Sequence, residues 1–175
     1  MLHSKGPNGG NPILEAVLHK HMDLVKFLMP KYKTLDVQDD IGASVLHIAT
    51  MNFDIFNEIY LNFLSKLKPN LLDGNGRSAL HWICNEDMVT DKDVTDQERF
   101  LIVMKLMTIM SNIDNQDIFG KTALHYAMTW KNKKIIKLLR KHKMRPKRGA
   151  TEFDEKTMPN SKRFKRNQKR DNKIY

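Results

Sequence analysis

The stretch SVLHIA at residues 44–49 recurs as SALHWI at residues 78–83 and as TALHYA at residues 122–127. Each copy opens on a hydroxyl residue and has Leu-His at its third and fourth positions. The copies start at Ser44, Ser78 and Thr122, so they are 34 and 44 residues apart. A step of 33 residues back from Ser44 reaches Asn11, which opens NPILEA. A period of this length predicts a stack of four similar supersecondary units.

A short turn motif precedes the last three copies. It reads DDIGAS at residues 39–44, DGNGRS at 73–78 and DIFGKT at 117–122, with Asp first and Gly fourth each time. Glycine accepts a positive φ, and an Asp side chain bonds the backbone of a tight bend. The motif therefore predicts a structural turn at Gly42, Gly76 and Gly120.

Each copy also has the apolar spacing of a helix pair. In the first, a short helix from about Pro12 to Leu18 precedes Leu24, Val25, Phe27 and Leu28, which follow the i, i+3, i+4 spacing of one helix face. The later copies repeat this spacing at Ile55, Ile59, Phe63 and Leu64, at Phe100, Val103, Met104, Met107 and Met110, and at Ile135, Ile136, Leu138 and Leu139. One pair alone leaves an apolar face in water, so stacking is expected to bury the faces.

Together these motifs resemble the ankyrin repeat, which combines a turn, a T-P-L-H-x-A opening and two antiparallel helices. The resemblance covers roughly residues 10–143 and implies an all-α solenoid of stacked helix-turn-helix units. Three departures stand out: Leu14 replaces the usual histidine, Ile83 takes an alanine position, and the last copy lacks its closing glycine. Divergence in the first and last units is typical of caps.

The domain organisation follows from these limits. Residues 1–9 are expected to be a flexible lead, residues 10–144 the ankyrin-repeat domain, and residues 145–175 a disordered basic tail. The repeats are placed near residues 10–40, 41–74, 75–118 and 119–143.

The third copy carries about eleven additional residues, an acidic insertion at residues 86–98. Its carboxylates are Glu86, Asp87, Asp91, Asp93, Asp96 and Glu98, against Lys92 and the following Arg99. A calcium loop of the EF-hand type needs a central glycine, which is absent. A solvated loop, a partner contact and an attraction to the basic tail all remain open.

The three repeated histidines invite a metal hypothesis, which their spacing disfavours. His47, His81 and His125 belong to different layers of a stack, so they cannot share one coordination sphere. The ankyrin resemblance implies that each imidazole bonds the backbone or the hydroxyl of the adjacent turn. The single cysteine, Cys84, is expected to pack in the core. With no recognisable catalytic motif, the sequence predicts a non-enzymatic protein without metal or cofactor.

The same resemblance nominates a partner-binding face made of turn tips and the concave side of the first helices. Within this face, Phe119 and Trp130 are large side chains where water is expected, which is typical of a binding hot spot. Trp130 has a second interpretation, as a cap on the carboxy-terminal end of the stack. The predicted binding surface comprises Asp40, Ile41, Met51, Asn52, Asn75, Arg77, Asn85, Glu86, Ile118, Phe119, Lys121, Thr129 and Trp130.

Most of the positive charge lies at the end of the chain. Residues 145–175 hold eleven Lys and Arg against four Asp and Glu, about +7 of the total +10, so the part of the chain before them is nearly balanced in charge. Two clusters resemble a bipartite nuclear import signal: Arg145, Lys147 and Arg148, then Lys162, Arg163, Lys165, Arg166, Lys169 and Arg170. The tail has three alternative roles: it binds a nuclear importer, it contacts nucleic-acid phosphates, or it only keeps the protein in solution.

The expected function is therefore binding of another protein. The first hypothesis is an inhibitor similar to the small IκB-like ankyrin proteins, acting on NF-κB-type transcription factors. The second is a regulatory subunit or inhibitor of a cell-cycle kinase, and the third is a nuclear, nucleic-acid-associated protein acting through its tail. A nuclear or cytoplasmic location is expected, because the start of the sequence has no signal-peptide core, no apolar run is long enough to span a membrane, and one cysteine suits a reducing compartment.

Overall fold

The structure is a computed structural model that describes residues 11–89 and 94–143. In these ranges eight α-helices form four consecutive pairs, and extended pairing is limited to the isolated bridges Leu35–Leu67 and Gln38–Ser44. The helices are α1 Pro12–Leu18, α2 Met22–Leu28, α3 Val45–Ala49, α4 Phe53–Asn62, α5 Ala79–Cys84, α6 Asp96–Ile109, α7 Ala123–Thr129 and α8 Lys133–Lys143. Single 3-10 turns, Met29–Lys31 and Leu64–Lys66, follow α2 and α4. This architecture confirms the all-α ankyrin fold predicted from the repeats.

The hydroxyl residue and the histidine of each hexapeptide start the first helix of a pair. Ser44, Ser78 and Thr122 are extended N-cap residues whose side chains bond the backbone three residues later. The histidine at that third position returns a bond to the backbone of the cap residue. This is a capping box in which histidine replaces the usual Glu or Gln, so the S/T-x-x-H spacing has a local cause.

Asparagine or threonine starts most of the remaining helices. The side chains of Asn11, Asn52 and Asn132 each accept a backbone N–H from the first turn of α1, α4 and α8, respectively. Thr95 and Glu98 form a standard capping box at α6. These caps bond helix donors that would otherwise lack a partner.

The first helices pack in sequence along the stack: α1 on α3, α3 on α5, and α5 on α7. Helix α4 packs on α6, and α5 also packs on its own partner α6. The side chains of Phe56, Leu80, Ile83, Leu106 and Ile135 are fully buried between these layers. Neighbouring repeats therefore complete each other's core.

Four residues of the predicted apolar faces lie at the surface instead. Leu24, Phe27, Leu64 and Met104 are exposed. Helix α2 has only two turns, and its buried side is supplied by Val25 and Leu28. On α6, the buried residues are Arg99, Ile102, Val103 and Leu106, so the buried side of the helix shares Val103 with the predicted stripe and begins with an arginine.

The acidic insertion is described only at its two ends, because residues 90–93, with Asp91, Lys92 and Asp93, lie outside the described residues. Val89 and Val94 are buried on either side of that gap. Asp96 and Glu98 belong to the first turn of α6, where carboxylates interact favourably with the helix dipole. Part of the insertion's acidity therefore serves the start of a helix.

The predicted amino-terminal lead at residues 1–9, the basic tail at 145–175 and all its import-like residues lie outside the described residues. None of the helices within residues 11–89 and 94–143 combines the length and the hydrophobicity that a membrane span requires.

Candidate functional site

The turn tips of the predicted binding surface are held in place by aspartate. Asp39 Oδ1 accepts the N–H groups of Ile41 at 3.1 Å and Ala43 at 2.7 Å. In the last turn, Asp117 Oδ1 accepts those of Phe119 at 2.9 Å and Lys121 at 2.8 Å. Ile41, Ile118 and Phe119 remain 62%, 64% and 67% exposed. Large apolar side chains thus stand on rigid turns.

Adjacent turns are bonded to each other by main chain and by histidine. Gly74 N donates to Ile41 O at 2.8 Å, and Ile118 N donates to Asn75 O at 3.0 Å. The Nδ1 atoms of His47 and His81 accept a backbone N–H, which places the ring proton on Nε2. His47 Nε2 then donates to Arg77 O at 2.9 Å, and His81 Nε2 lies 3.0 Å from Asn115 O. The tips are therefore in fixed register.

Burial keeps both of these imidazoles neutral. Desolvation lowers the pKa of His47 and of His81, while the backbone carbonyls that accept their Nε2–H oppose the shift. His125 has the same Thr122 contacts, with Nδ1 2.9 Å from Thr122 N, but its side chain is exposed. His47 and His81 thus link adjacent turns, His125 bonds within its own turn, and each of the three histidines lies in its own repeat.

Arg77 belongs to the predicted binding surface, but its side chain is engaged within the protein. Its Nε donates to Asp73 Oδ2 at 2.8 Å, and Trp82 Nε1 donates to the same oxygen at 2.8 Å. Burial alone would raise the pKa of Asp73, but the bonds from Trp82 and the backbone and the charge of Arg77 outweigh it and lower that pKa. Asn52 is similarly occupied, because it caps α4.

Five residues of the predicted binding surface meet in one depression. Asn85, Glu86, Lys121, Thr129 and Trp130 line it together with Asp87 and Tyr126, around a volume of about 140 Å³. We call it the Trp130 pocket. Sequence reasoning missed Asp87 and Tyr126, although Tyr126 occupies the position after His125, which corresponds to Trp82 in the preceding repeat. Two carboxylates, one ammonium group and two aromatic rings suit a protein side chain with both apolar and polar parts.

The Tyr126 hydroxyl is a fixed donor at the base of this arrangement. It donates to Asp117 Oδ2 at 2.5 Å. Burial, followed by that bond and the charge of Asp117, raises the pKa of Tyr126 to about 12. The ring is therefore neutral and tied to the turn that carries Phe119 and Lys121.

The Trp130 indole has one packed side and one side that faces two surface depressions. One side packs against α6, where the Arg99 guanidinium carbon lies 4.0 Å from the ring centroid. Arg99 is fully buried and donates to Ile83 O at 3.1 Å and Val89 O at 2.8 Å. The half-buried indole also lines the Trp130 pocket and a second depression beside Asp96 and Lys131.

The remaining residues of the predicted binding surface lie along the stack. Asp40 is exposed beside Ile41, and Met51 is half-buried two residues after the end of α3. Asn75 is half-buried in the middle turn, where its carbonyl bonds Ile118. The structure therefore divides the surface into a row of turn tips and the Trp130 pocket.

The described ranges contain neither a cluster of metal ligands nor a reactive cysteine thiol. No group of three or more His, Cys, Asp or Glu residues there is placed to hold a metal ion. Cys84 is fully buried, and burial raises the pKa of its thiol to about 12. Its thiol is therefore protonated near neutral pH and shielded from solvent.

Comparison with known proteins agrees with this architecture. A family model described as ankyrin repeats in three copies matches residues 53–150, more than half of the chain. The chain is 29% identical over 133 residues to protein lin-12 of Caenorhabditis elegans, covering 73% of this chain and 9% of lin-12. It is 27% identical over 139 residues to the nuclear factor NF-kappa-B p105 subunit of Gallus gallus, covering 75% of this chain and 13% of p105. The chain therefore spans only a small part of either relative.

Proposed function

Because the chain belongs to the ankyrin-repeat family, a family of non-enzymatic interaction modules, we propose that it acts by binding another protein through the turn tips and the Trp130 pocket. The partner of this proposal is an NF-κB-type transcription factor, with the chain acting as an IκB-like inhibitor. The similarity to the p105 subunit of NF-κB supports this choice.

The observation that carries the binding proposal is the pairing of exposed apolar tips with rigid supports. Ile118 and Phe119 are mostly exposed, yet their backbone is bonded to Asp117 and to the neighbouring turn. A rigid apolar group loses little conformational entropy when a partner covers it. Such groups beside a mixed polar and aromatic pocket have the composition of an interface hot spot with a polar rim.

The test is a pair of phenylalanine substitutions of nearly equal exposure. Phe119→Ala removes a ring that is 67% exposed on the proposed surface, and Phe27→Ala removes one that is 61% exposed on α2. Binding of the full chain to a purified NF-κB-type factor is measured by isothermal titration calorimetry. We expect Phe119→Ala to weaken binding by more than about 1 kcal/mol, roughly fivefold. Phe27→Ala is expected to leave it unchanged.

Two results would contradict the proposal in different ways. Equal losses of affinity from both substitutions would show that the turn tips are not part of the interface. Absence of binding to the transcription factor, together with Phe119-dependent binding to a cyclin-dependent kinase, would keep the surface and replace the partner. Unchanged thermal unfolding of both variants shows that a loss of affinity comes from a missing contact with the partner and not from unfolding.

A further inference from the structure

The net charge ahead of residue 145 is small because a negative part of the chain offsets a positive one. Residues 1–117 contain eleven Lys and Arg against sixteen Asp and Glu, a net charge of −5. Residues 118–143 contain eight Lys and Arg and no Asp or Glu, a net charge of +8. The sequence expectation of a nearly balanced repeat domain is correct in sum and misses this asymmetry.

Helix α8 concentrates this charge on one side. Its buried residues are Ile135 and Leu139. At about 100° per residue, the five basic residues of the opposite side fall within an arc of about 120°. They are Lys133, Lys134, Lys137, Arg140 and Lys141, all exposed, and we call them the basic stripe.

The amino-terminal part of the basic stripe works against the stability of its own helix. The first turn of α8 has no acidic residue, and Lys133 and Lys134 stand at the end where the helix dipole disfavours positive charge. The pairs Lys133–Lys137 and Lys137–Lys141 repel at i, i+4 spacing, at about 0.2–0.5 kcal/mol each. No ion pair between the stripe and a carboxylate occurs among the described residues.

Other second helices show that solubility does not require such a stripe. Helix α4 has Asp54 in its first turn, and its Glu58 lies 3.6 Å from Lys26 of α2. Helix α6 begins with Asp96 and Glu98 and has Lys105 further along. These helices place charge in agreement with the dipole or in opposite pairs. The departure at α8 indicates a function outside folding.

From this arrangement we infer that the basic stripe binds a nucleic-acid duplex through its phosphates, without reading the base sequence. Four of its five residues are lysines, which act as point charges toward phosphate. Protein interfaces, by contrast, are depleted in Lys and enriched in Arg. From Lys133 to Lys141 the stripe extends about 12 Å, with a charge at each turn, so several phosphates of a duplex lie within its reach at once.

The chemistry of the stripe also selects a duplex over a single strand. Binding of unpaired bases relies on exposed aromatic rings that stack on them. Helix α8 contains no Phe, Trp or Tyr. This surface is separate in sequence from the turn tips and the Trp130 pocket, apart from the helix start beside Trp130, so the inference goes beyond the proposed protein partner.

The test compares two lysine triples in the full chain. Lys133→Gln, Lys137→Gln and Lys141→Gln together remove three charges from the stripe, and Lys31→Gln, Lys33→Gln and Lys68→Gln remove three exposed charges elsewhere. Binding to a mixed-sequence 20-base-pair DNA duplex is followed by fluorescence anisotropy from 50 to 300 mM salt. We expect the stripe triple to lose at least tenfold in affinity at 100 mM salt, and the control triple less than about twofold. Each lost phosphate contact lowers the salt slope by about 0.9, so the three together lower it by up to about 2.7.

Other outcomes overturn the inference. Equal losses from the two triples would mean that only net charge matters. Binding that survives the stripe triple and is abolished by Lys162→Gln, Arg163→Gln, Lys165→Gln and Arg166→Gln would assign the activity to the basic tail alone. Tighter binding of a polyglutamate of equal charge than of the duplex would assign the stripe to an acidic protein segment. Unchanged far-ultraviolet circular dichroism of each variant excludes unfolding as the cause.

Discussion

Gly42 and Gly120 occupy the same position of the turn motif, with φ values of +80° and +70°. Their surroundings differ. A Cβ at Gly42 would lie 2.6 Å from Gly74 N, whereas one at Gly120 would meet nothing within 4 Å. The sequence pattern predicted a turn that needs the positive φ of glycine at both sites. It could not show the close approach at Gly42, because that depends on the next turn in the stack.

Alanine substitutions separate these two requirements. Both Gly42→Ala and Gly120→Ala place a Cβ in the left-handed region, which costs about 1–2 kcal/mol. We expect Gly42→Ala to reduce the free energy of unfolding by at least about 1 kcal/mol more than Gly120→Ala, because it also pushes two turns apart. Urea unfolding of the two variants measures the difference. Equal losses would show that the turns separate freely.

The buried histidines predict a loss of stability in mild acid. Because the pKa values of His47 and His81 are lowered in the folded protein, the unfolded chain takes up more protons below its own histidine pKa of about 6.5. The stability that the two neutral histidines contribute is fully present above that pH and declines as the pH falls toward their lower pKa values in the folded protein. Each histidine adds a slope of up to about 1.4 kcal/mol per pH unit.

We expect His47→Gln to reduce this slope by one histidine's share between pH 7 and pH 5.5. Urea unfolding at several pH values in that range provides the measurement. Ile83→Val is the control, since it weakens the core without removing a titrating group and is expected to retain the slope. A slope unaffected by His47→Gln would mean that this imidazole titrates alike in both states.

At the scale of elements, α6 shows how far the pattern of a helix can be predicted. The capping residues Thr95 and Glu98 mark its start in the sequence. The burial of Arg99 is not predictable from periodicity, because its partners Ile83, Val89 and Trp130 belong to other elements. An arginine in an apolar stripe is a departure whose reason exists only in the folded chain.

A charge-conserving substitution tests this role of Arg99. Arg99→Lys keeps the charge but removes the planar group that stacks on Trp130 and donates to two carbonyls. We expect the free energy of unfolding to fall by about 1–3 kcal/mol. Arg140→Lys, at an exposed position on α8, is expected to change it by less than about 0.5 kcal/mol. A similar change in the free energy of unfolding at the two sites would show that Arg99 does not anchor the helix.

At the scale of the whole molecule, the repeat period predicted the stack and its turn tips. The Trp130 pocket was predicted only in part, because Asp87 and Tyr126 come from segments about forty residues apart. The charge asymmetry was visible in the sequence, but the sum over the repeats concealed it. Its arrangement as a stripe required knowing which side of α8 is buried.

A stack in which each unit contacts its neighbours predicts different responses in the middle and at the end. Ile83 of α5 and Ile135 of α8 are both fully buried. We expect Ile83→Ala to lower the stability of the whole stack by about 2–5 kcal/mol. Ile135→Ala is expected to increase hydrogen exchange mainly within residues 123–143, by local opening. Uniform acceleration of exchange in the Ile135 variant would show that the stack unfolds as one unit.

The histidine of the last repeat leaves the chain of turn-to-turn bonds open at one end. His125 keeps the Thr122 contact that places its ring proton on Nε2, and the described part of the chain contains no later turn to receive that proton. The imidazole is thus already oriented to donate one hydrogen bond, from Nε2–H, to a main-chain oxygen. A grafted consensus repeat that brings a carbonyl to this atom would lengthen the solenoid without rebuilding its final layer.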